Sequence, residues 1–113
     1  MKKNLEHTSL LILALLESED MYGYQMIVEL ERRSDQTFRM KEGTLYPVLK
    51  KLENAGAVTC YESSAAGRVR KYYHIAPAGT AQLQEAKEMW RNYAHGIDMM
   101  LGFHQNTERM IAT

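Results

Sequence analysis

The chain has 113 residues, 45% of them hydrophobic and 25% charged, which fits one small domain with an appended element and excludes wholesale disorder or a collagen-like repeat. A single cysteine, Cys60, excludes an internal disulfide framework and fits a reducing compartment. Net charge is zero, yet residues 39–71 hold seven basic and three acidic side chains while the flanking segments are net acidic, a segregation that suits a local phosphate-binding surface.

Leu5 to about Leu16 is apolar on every side, which predicts a helix buried against more than one partner. Its longest apolar run, Leu10 to Leu16, is far below the ~20 residues of a membrane span. Lys2 and Lys3 imitate the start of a signal peptide, but Glu17-Ser18-Glu19-Asp20 stands where a small-residue cleavage site belongs. A cytoplasmic protein with no membrane partner is expected. Met21 to about Arg33 predicts a second helix, with Met21, Tyr24, Ile27, Val28 and Leu30 near a helical period. Glu19 and Asp20 before it and Arg32 and Arg33 at its end suit the helix dipole. Ser34 to Thr37 reads as a loop and Phe38-Arg39-Met40 as a short extended stretch.

A third helix is predicted from Glu42 to Ala55, with Leu45, Val48, Leu49 and Leu52 on its apolar face. Pro47 lies deeper than the first helical position and is expected to bend or delay the first turn. Gly56 ends the helix. Val58 to Tyr61 and Val69 to Ile75 are β-rich, and the small, polar Glu62 to Arg68 between them predicts a hairpin with a long flexible tip. Pro77 and Gly79 open a last helix that runs to about His104.

Three helices followed by a hairpin form the plan of a winged helix-turn-helix, whose third helix enters a major groove while the wing reaches the adjacent backbone. On the third helix the apolar face leaves Lys41, Thr44, Tyr46, Pro47, Lys50 and Lys51 near the other face or its edges. Gly43 lets backbone approach DNA, Thr44 can donate to a phosphate or a base, and the Tyr46 hydroxyl can reach a phosphate. Lys50 suits a phosphate or guanine. Taken alone, this helix reads equally as a solvated face beside a core tyrosine. The hairpin favours DNA: Arg68, Arg70 and Lys71 follow Gly67 as a wing that grips phosphates, although a charged edge also discourages aggregation. Alternation places Val69, Lys71, Tyr73 and Ile75 on one side, with Val69 and Ile75 marking the buried one.

Tyr22-Gly23-Tyr24, Glu42-Gly43-Thr44-Leu45-Tyr46-Pro47, Leu52-Glu53-Asn54-Ala55-Gly56 and Gly67-Arg68-Val69-Arg70-Lys71-Tyr72-Tyr73 together resemble the PadR family of bacterial transcriptional regulators. The likeness spans about residues 8 to 80. It implies a mainly α fold with a β-hairpin wing, a winged helix-turn-helix over 1–76 and a dimerisation helix over 77–113. It also implies repression relieved by a small molecule, and it marks Tyr22, Thr44, Tyr46, Lys50, Arg68 and Arg70 as DNA contacts.

In the last helix Leu83, Ala86, Trp90, Tyr93, Ile97 and Met100 follow a heptad seam. From Pro77 to His104 such a helix is about 42 Å long, so it must project and needs a second chain to cover the seam. Gly96 and Gly102 are expected to mark a bend or fraying. Trp90 either fills the dimer core or, with Met89 and Tyr93 and with Leu10 and Leu13 as further wall, lines a pocket for a planar aromatic effector.

No nucleophile elbow, zinc-protease motif, phosphate-cradling loop or Cys-x-x-Cys occurs, so neither catalysis nor a cofactor is expected. His95, Asp98 and His104 read as surface residues before they read as a metal site. Cys60 reads as a buried, inert thiol. The chain is therefore expected to be a homodimeric repressor bound to an inverted-repeat operator in double-stranded DNA. The alternative is a small-molecule-binding dimer without DNA-regulatory activity, against which the basic wing argues.

Overall fold

The computed structural model describes residues 6–103. In chain order it contains α1 (His7–Ser18), β1 (Met21–Tyr22), α2 (Gly23–Arg33), α3 (Glu42–Asn54), β2 (Val58–Ala65), β3 (Arg68–Ile75) and α4 (Pro77–Leu101). This is the expected mainly helical winged helix with a long last helix. His104 lies outside the described residues.

The all-round apolar α1 is enclosed by α2, α3, β3 and α4. Its Ile12, Leu13, Leu15 and Leu16 meet Met26 and Leu30 of α2, Leu45, Leu49 and Leu52 of α3, and Leu83 of α4 in one core. Pro47 sits inside α3, which nonetheless starts at Glu42 with its first bonds to the Lys41 carbonyl. Proline at this depth removes one internal donor without stopping the helix. Ala55 caps α3 and Gly56 follows at a φ of +75°, a left-handed conformation that favours glycine.

Three expectations are corrected. Met21 and Tyr22 are not helical: they form an edge strand antiparallel to β3, paired Met21 to Tyr73 and Tyr22 to Tyr72. The sheet therefore has three strands, in the order β1-β3-β2. Phe38 and Arg39 join no strand: the Phe38 N–H donates to Ser34 Oγ at 3.0 Å, Arg39 Nε lies 3.5 Å from Glu31 Oε1, and the segment brings Met40 into the core. The wing has no long tip. β2 and β3 pair without interruption down to Ala65 opposite Arg68, and Ala66 and Gly67 alone make the turn with φ values of +53° and +75°. Two positive φ values in a two-residue loop match the right-handed twist of the strands. The wing then outreaches the core, so Val69 is 68% exposed although Tyr73, on the same side nearer the base, is buried.

α4 starts inside this core. The Ala76 N–H donates to the Ala57 carbonyl at 2.9 Å, and Gly79 packs so closely that a Cβ there would collide with the same oxygen and lie 3.0 Å from Ile75 Cγ1. Beyond Leu83 the helix lies along α1, with Gln84 and Lys87 donating to the Glu17 carboxylate and Trp90 against His7, then projects, runs unbroken through Gly96 and ends at Gly102, whose φ of +81° closes it. Among the described residues no helix is long and apolar enough to cross a membrane.

Candidate nucleic-acid interface

A cleft of about 470 Å³ opens between the start of α2, the first turns of α3 and the wing. It is lined by Tyr22, Gly23, Tyr24, Tyr46, Arg68, Arg70, Lys71 and Tyr73. The structure thus gathers Tyr22, Tyr46, Arg68, Arg70 and Lys71, which are distant in sequence, around one concave surface. Lys41, Thr44, Pro47 and Lys50 do not line it; they are exposed along α3. The positive middle of the sequence becomes a basic surface because both of its elements, α3 and the wing, border this cleft.

Local chemistry sets each wall. Pairing with β3 holds Tyr22 at the sheet edge, and the guanidinium carbon of Arg70 lies 4.3 Å from the centroid of its ring. That is close enough for a cation–π contact of about 0.5–1 kcal/mol at an exposed site. The tight turn places Arg68 at the foot of β3, at the mouth of the wing. Gly23 is buried against Tyr46, and a Cβ on it would collide with the phenol oxygen. Burial pushes the Tyr73 phenol above its ordinary pKa, so the floor of the cleft is uncharged and all its full charges are positive.

The support behind this wall has no signal in the sequence. Tyr22, Tyr72 and Tyr61 stand side by side across the three strands. The Tyr22 and Tyr72 rings meet edge-on at 5.5 Å, and Tyr72 and Tyr61 stack at 5.8 Å. At the far side Asp20, in the turn before β1, accepts a 2.6 Å hydrogen bond from the Tyr61 hydroxyl, with its other oxygen 2.8 Å from His74 Nδ1. Partial burial raises the pKa of the Asp20 carboxyl, but the bonds from Tyr61 and His74 outweigh it and the net shift is downward. The Tyr61 phenol shifts upward for the complementary reason. Three tyrosines in register across a sheet are visible only once the pairing is known.

On α4, Trp90, Tyr93, Ile97 and Met100 are exposed, as is Met89, while Ala86 is half-buried. The Trp90 and Tyr93 rings lie 5.6 Å apart, and His7 of α1 meets Trp90 edge-on at 5.4 Å. Two expectations are corrected here. Leu83 does not belong to an outward seam, and Leu13 cannot wall a pocket on α4: both are completely buried in the core of their own chain. The heptad count begins before α4 has left the domain. Leu10 remains half-buried at the core margin.

Cys60 is half-buried, with its Sγ 3.1 Å from Glu53 Oε2. That hydrogen bond, followed by desolvation, raises the thiol pKa. Among the described residues no group of three or more His, Cys, Asp or Glu is placed to hold a metal ion.

Comparison with known proteins gives this geometry its context. The chain is 34% identical over 96 residues to an uncharacterized protein of Lysinibacillus sphaericus, covering 84% of this chain and 88% of that one. The crystal structure of a PadR family transcription regulator from Clostridium difficile superposes with a TM-score of 0.74 at 32% identity, over 85% of this chain and 99% of that one. Bacillus subtilis PadR, solved in complex with operator DNA, superposes with a TM-score of 0.64 at 25% identity, over 71% of this chain and 46% of that one. The family model of the transcriptional regulator PadR-like family matches residues 12–85, from within α1 to the first turns of α4. The chain belongs to the PadR-like family of transcriptional regulators.

Proposed function

We propose that this DNA-binding regulator is a homodimeric repressor that holds an inverted-repeat operator and is released by a small planar aromatic effector. Family membership makes it a transcriptional regulator and not an enzyme. The observation that carries the finer reading is the convergence of Tyr22, Tyr46, Arg68, Arg70 and Lys71 on one cleft beside α3. Arginine and lysine grip phosphates there, and Thr44 and Lys50 on the exposed face of α3 read base edges together with Lys41 and Pro47. The complex of Bacillus subtilis PadR with operator DNA supports the same partner for this chain.

Residues 1–76 carry the DNA surface in this reading, and residues 77–113 carry the dimer contact. Among the described residues the apolar face of α4 formed by Trp90, Tyr93, Ile97 and Met100 stays exposed, apart from the edge contact of His7 with Trp90, and a second copy about a two-fold axis supplies cover. Two Trp90 indoles near that axis, with Met89 and Tyr93, offer flat surfaces to an aromatic effector. Such a ligand relieves repression only as far as it prefers the arrangement that cannot bind DNA.

The test is selection of host genomic fragments retained by the purified protein, followed by footprinting. Two protected half-sites about one turn, roughly 34 Å, apart are expected. Protection of a single half-site at saturating protein would remove the two-fold reading.

A further inference from the structure

The outer face of the sheet carries one continuous strip of side chains that ends in the cleft. Along β3 the residues on this face are Arg70, Tyr72 and His74, opposite Ser63, Tyr61 and Thr59 of β2. Tyr22 of β1 completes the row beside Tyr72. Arg70 at one end leans on the Tyr22 ring. At the other end a single carboxylate, Asp20, holds both long strands, β2 through the Tyr61 hydroxyl and β3 through His74. Asp20 comes from the turn between α1 and β1, so it ties the wing to the body of the domain. It is acidic and does not line the cleft.

We propose that Asp20 is a positioning residue for the wing: it contacts no DNA itself, and it sets Arg70 through the Tyr61, Tyr72 and Tyr22 rings. The proposal rests on the wing acting as a phosphate grip. A two-stranded ribbon reaching beyond a core is only marginally ordered by its own ladder. A charge-assisted bond from each strand to one fixed acceptor supplies the missing restraint. The groups facing the Asp20 carboxylate are Tyr61 from β2 and His74 from β3, and the cross-strand neighbour of His74 is the uncharged Thr59. Protonated His74 pairs with Asp20 as an ion pair.

The experiment measures binding to a fluorescein-labelled random-sequence duplex at low salt, alongside amide exchange of β3 without DNA. Asp20→Ala is expected to bind about tenfold more weakly, the worth of one charge-assisted hydrogen bond, with faster exchange over residues 69–72. Tyr61→Phe keeps the stacked ring and removes only the hydroxyl. It is expected to reproduce part of both effects, and it carries the test if Asp20→Ala does not fold. Asp20→Ala made in an Arg70→Ala background is expected to weaken binding no further, because the anchor acts through Arg70. A merely structural role for Asp20 would give the same loss of affinity in that background as in the wild type, and that result overturns the proposal. Faster exchange with unchanged affinity also overturns it. If the wild-type protein binds no duplex, the phosphate-grip reading fails first, and unchanged exchange in Asp20→Ala would then remove the anchor as well.

Discussion

The Tyr46 ring on α3 fills the space that a Cβ at position 23 on α2 would need: a methyl there would overlap the phenol oxygen and lie 2.8 Å from Cζ. Gly23 and Tyr46 are thus one steric unit, and they fix how close the two helices of the DNA-facing motif approach. Gly23→Ala is expected to destabilise the fold by about 1–3 kcal/mol, the usual cost of overpacking. Tyr46→Ala in the same background is expected to recover most of that loss. Denaturant unfolding of the two single variants and the double variant measures the coupling, and additive losses would show that the overlap is relieved elsewhere.

The wing arginines and the exposed face of α3 are expected to fail differently. Arg68→Ala or Arg70→Ala should weaken binding to every duplex alike. Each should also flatten the salt dependence by about 0.9 in log–log slope for every phosphate that a subunit no longer neutralises. Thr44→Ala or Lys50→Ala should alter sequence preference, because the proposed reading sets these exposed α3 side chains against base edges. Titrations at several salt concentrations on operator and random DNA separate the two patterns. An Arg70 variant with wild-type affinity and slope would mean that the wing does not hold phosphates.

Burial divides α4 into two functional parts. Leu83→Ala removes a fully buried side chain and is expected to cost about 2–5 kcal/mol of domain stability without changing the oligomeric state. Ile97→Glu alters the exposed face and is expected to leave the domain folded while splitting the proposed dimer. Sedimentation and thermal unfolding of both variants check this. A dimeric Ile97→Glu protein would place the interface elsewhere.

Trp90→Ala is expected to abolish the response to an aromatic effector while dimerisation and operator binding persist. Tryptophan quenching by a planar dye in the wild-type protein, and its effect on DNA release in the variant, are the measurements. A monomeric variant would make Trp90 a core residue of the interface. A dimeric variant with a normal response would move the effector site away from α4.

Glu53 is expected to keep Cys60 unreactive. Its carboxylate accepts from the thiol and, as the leading cause, raises the pKa of Cys60. At fixed mildly alkaline pH, less thiolate is therefore present than on an ordinary cysteine. Glu53→Gln removes the charge that disfavours thiolate, so alkylation by iodoacetamide should accelerate. An unchanged rate would mean that access controls the reaction.

The legible parts of the fold are those encoded within one element. The apolar spacing Leu45, Leu49, Leu52 specifies α3, and the cations after Gly67 specify what the wing presents, because each signal lies in a short stretch. Met21 and Tyr22 read as helix in the sequence because a two-residue strand has no period of its own; β3 makes it a strand. Val69 has the residue type of a buried strand position, yet among the described residues nothing covers the wing where it sits. The same blindness to placement lets Leu83 count toward an outward seam. Asp20 reads only as a helix-dipole charge, since its partners Tyr61 and His74 are 41 and 54 residues away.

The seat of α4 has a mechanical consequence. Gly79 is pressed against Ala57, at the junction of α3 and β2, and Ala76 is hydrogen-bonded to the same carbonyl. Leu83 in the core and the bonds of Gln84 and Lys87 to Glu17 of α1 hold the helix further along, so helix and domain form one rigid lever whose fulcrum lies beside α3 and β2 and whose long arm carries the apolar face. At 1.5 Å per residue the arm from Gly79 to Met100 is about 32 Å, so a tilt of about 5° at the fulcrum corresponds to roughly 3 Å at its end. A shift of that size at the far end, less than the width of one side chain, returns to α3 and the wing as a rotation of their common base, without any rearrangement of the core between them.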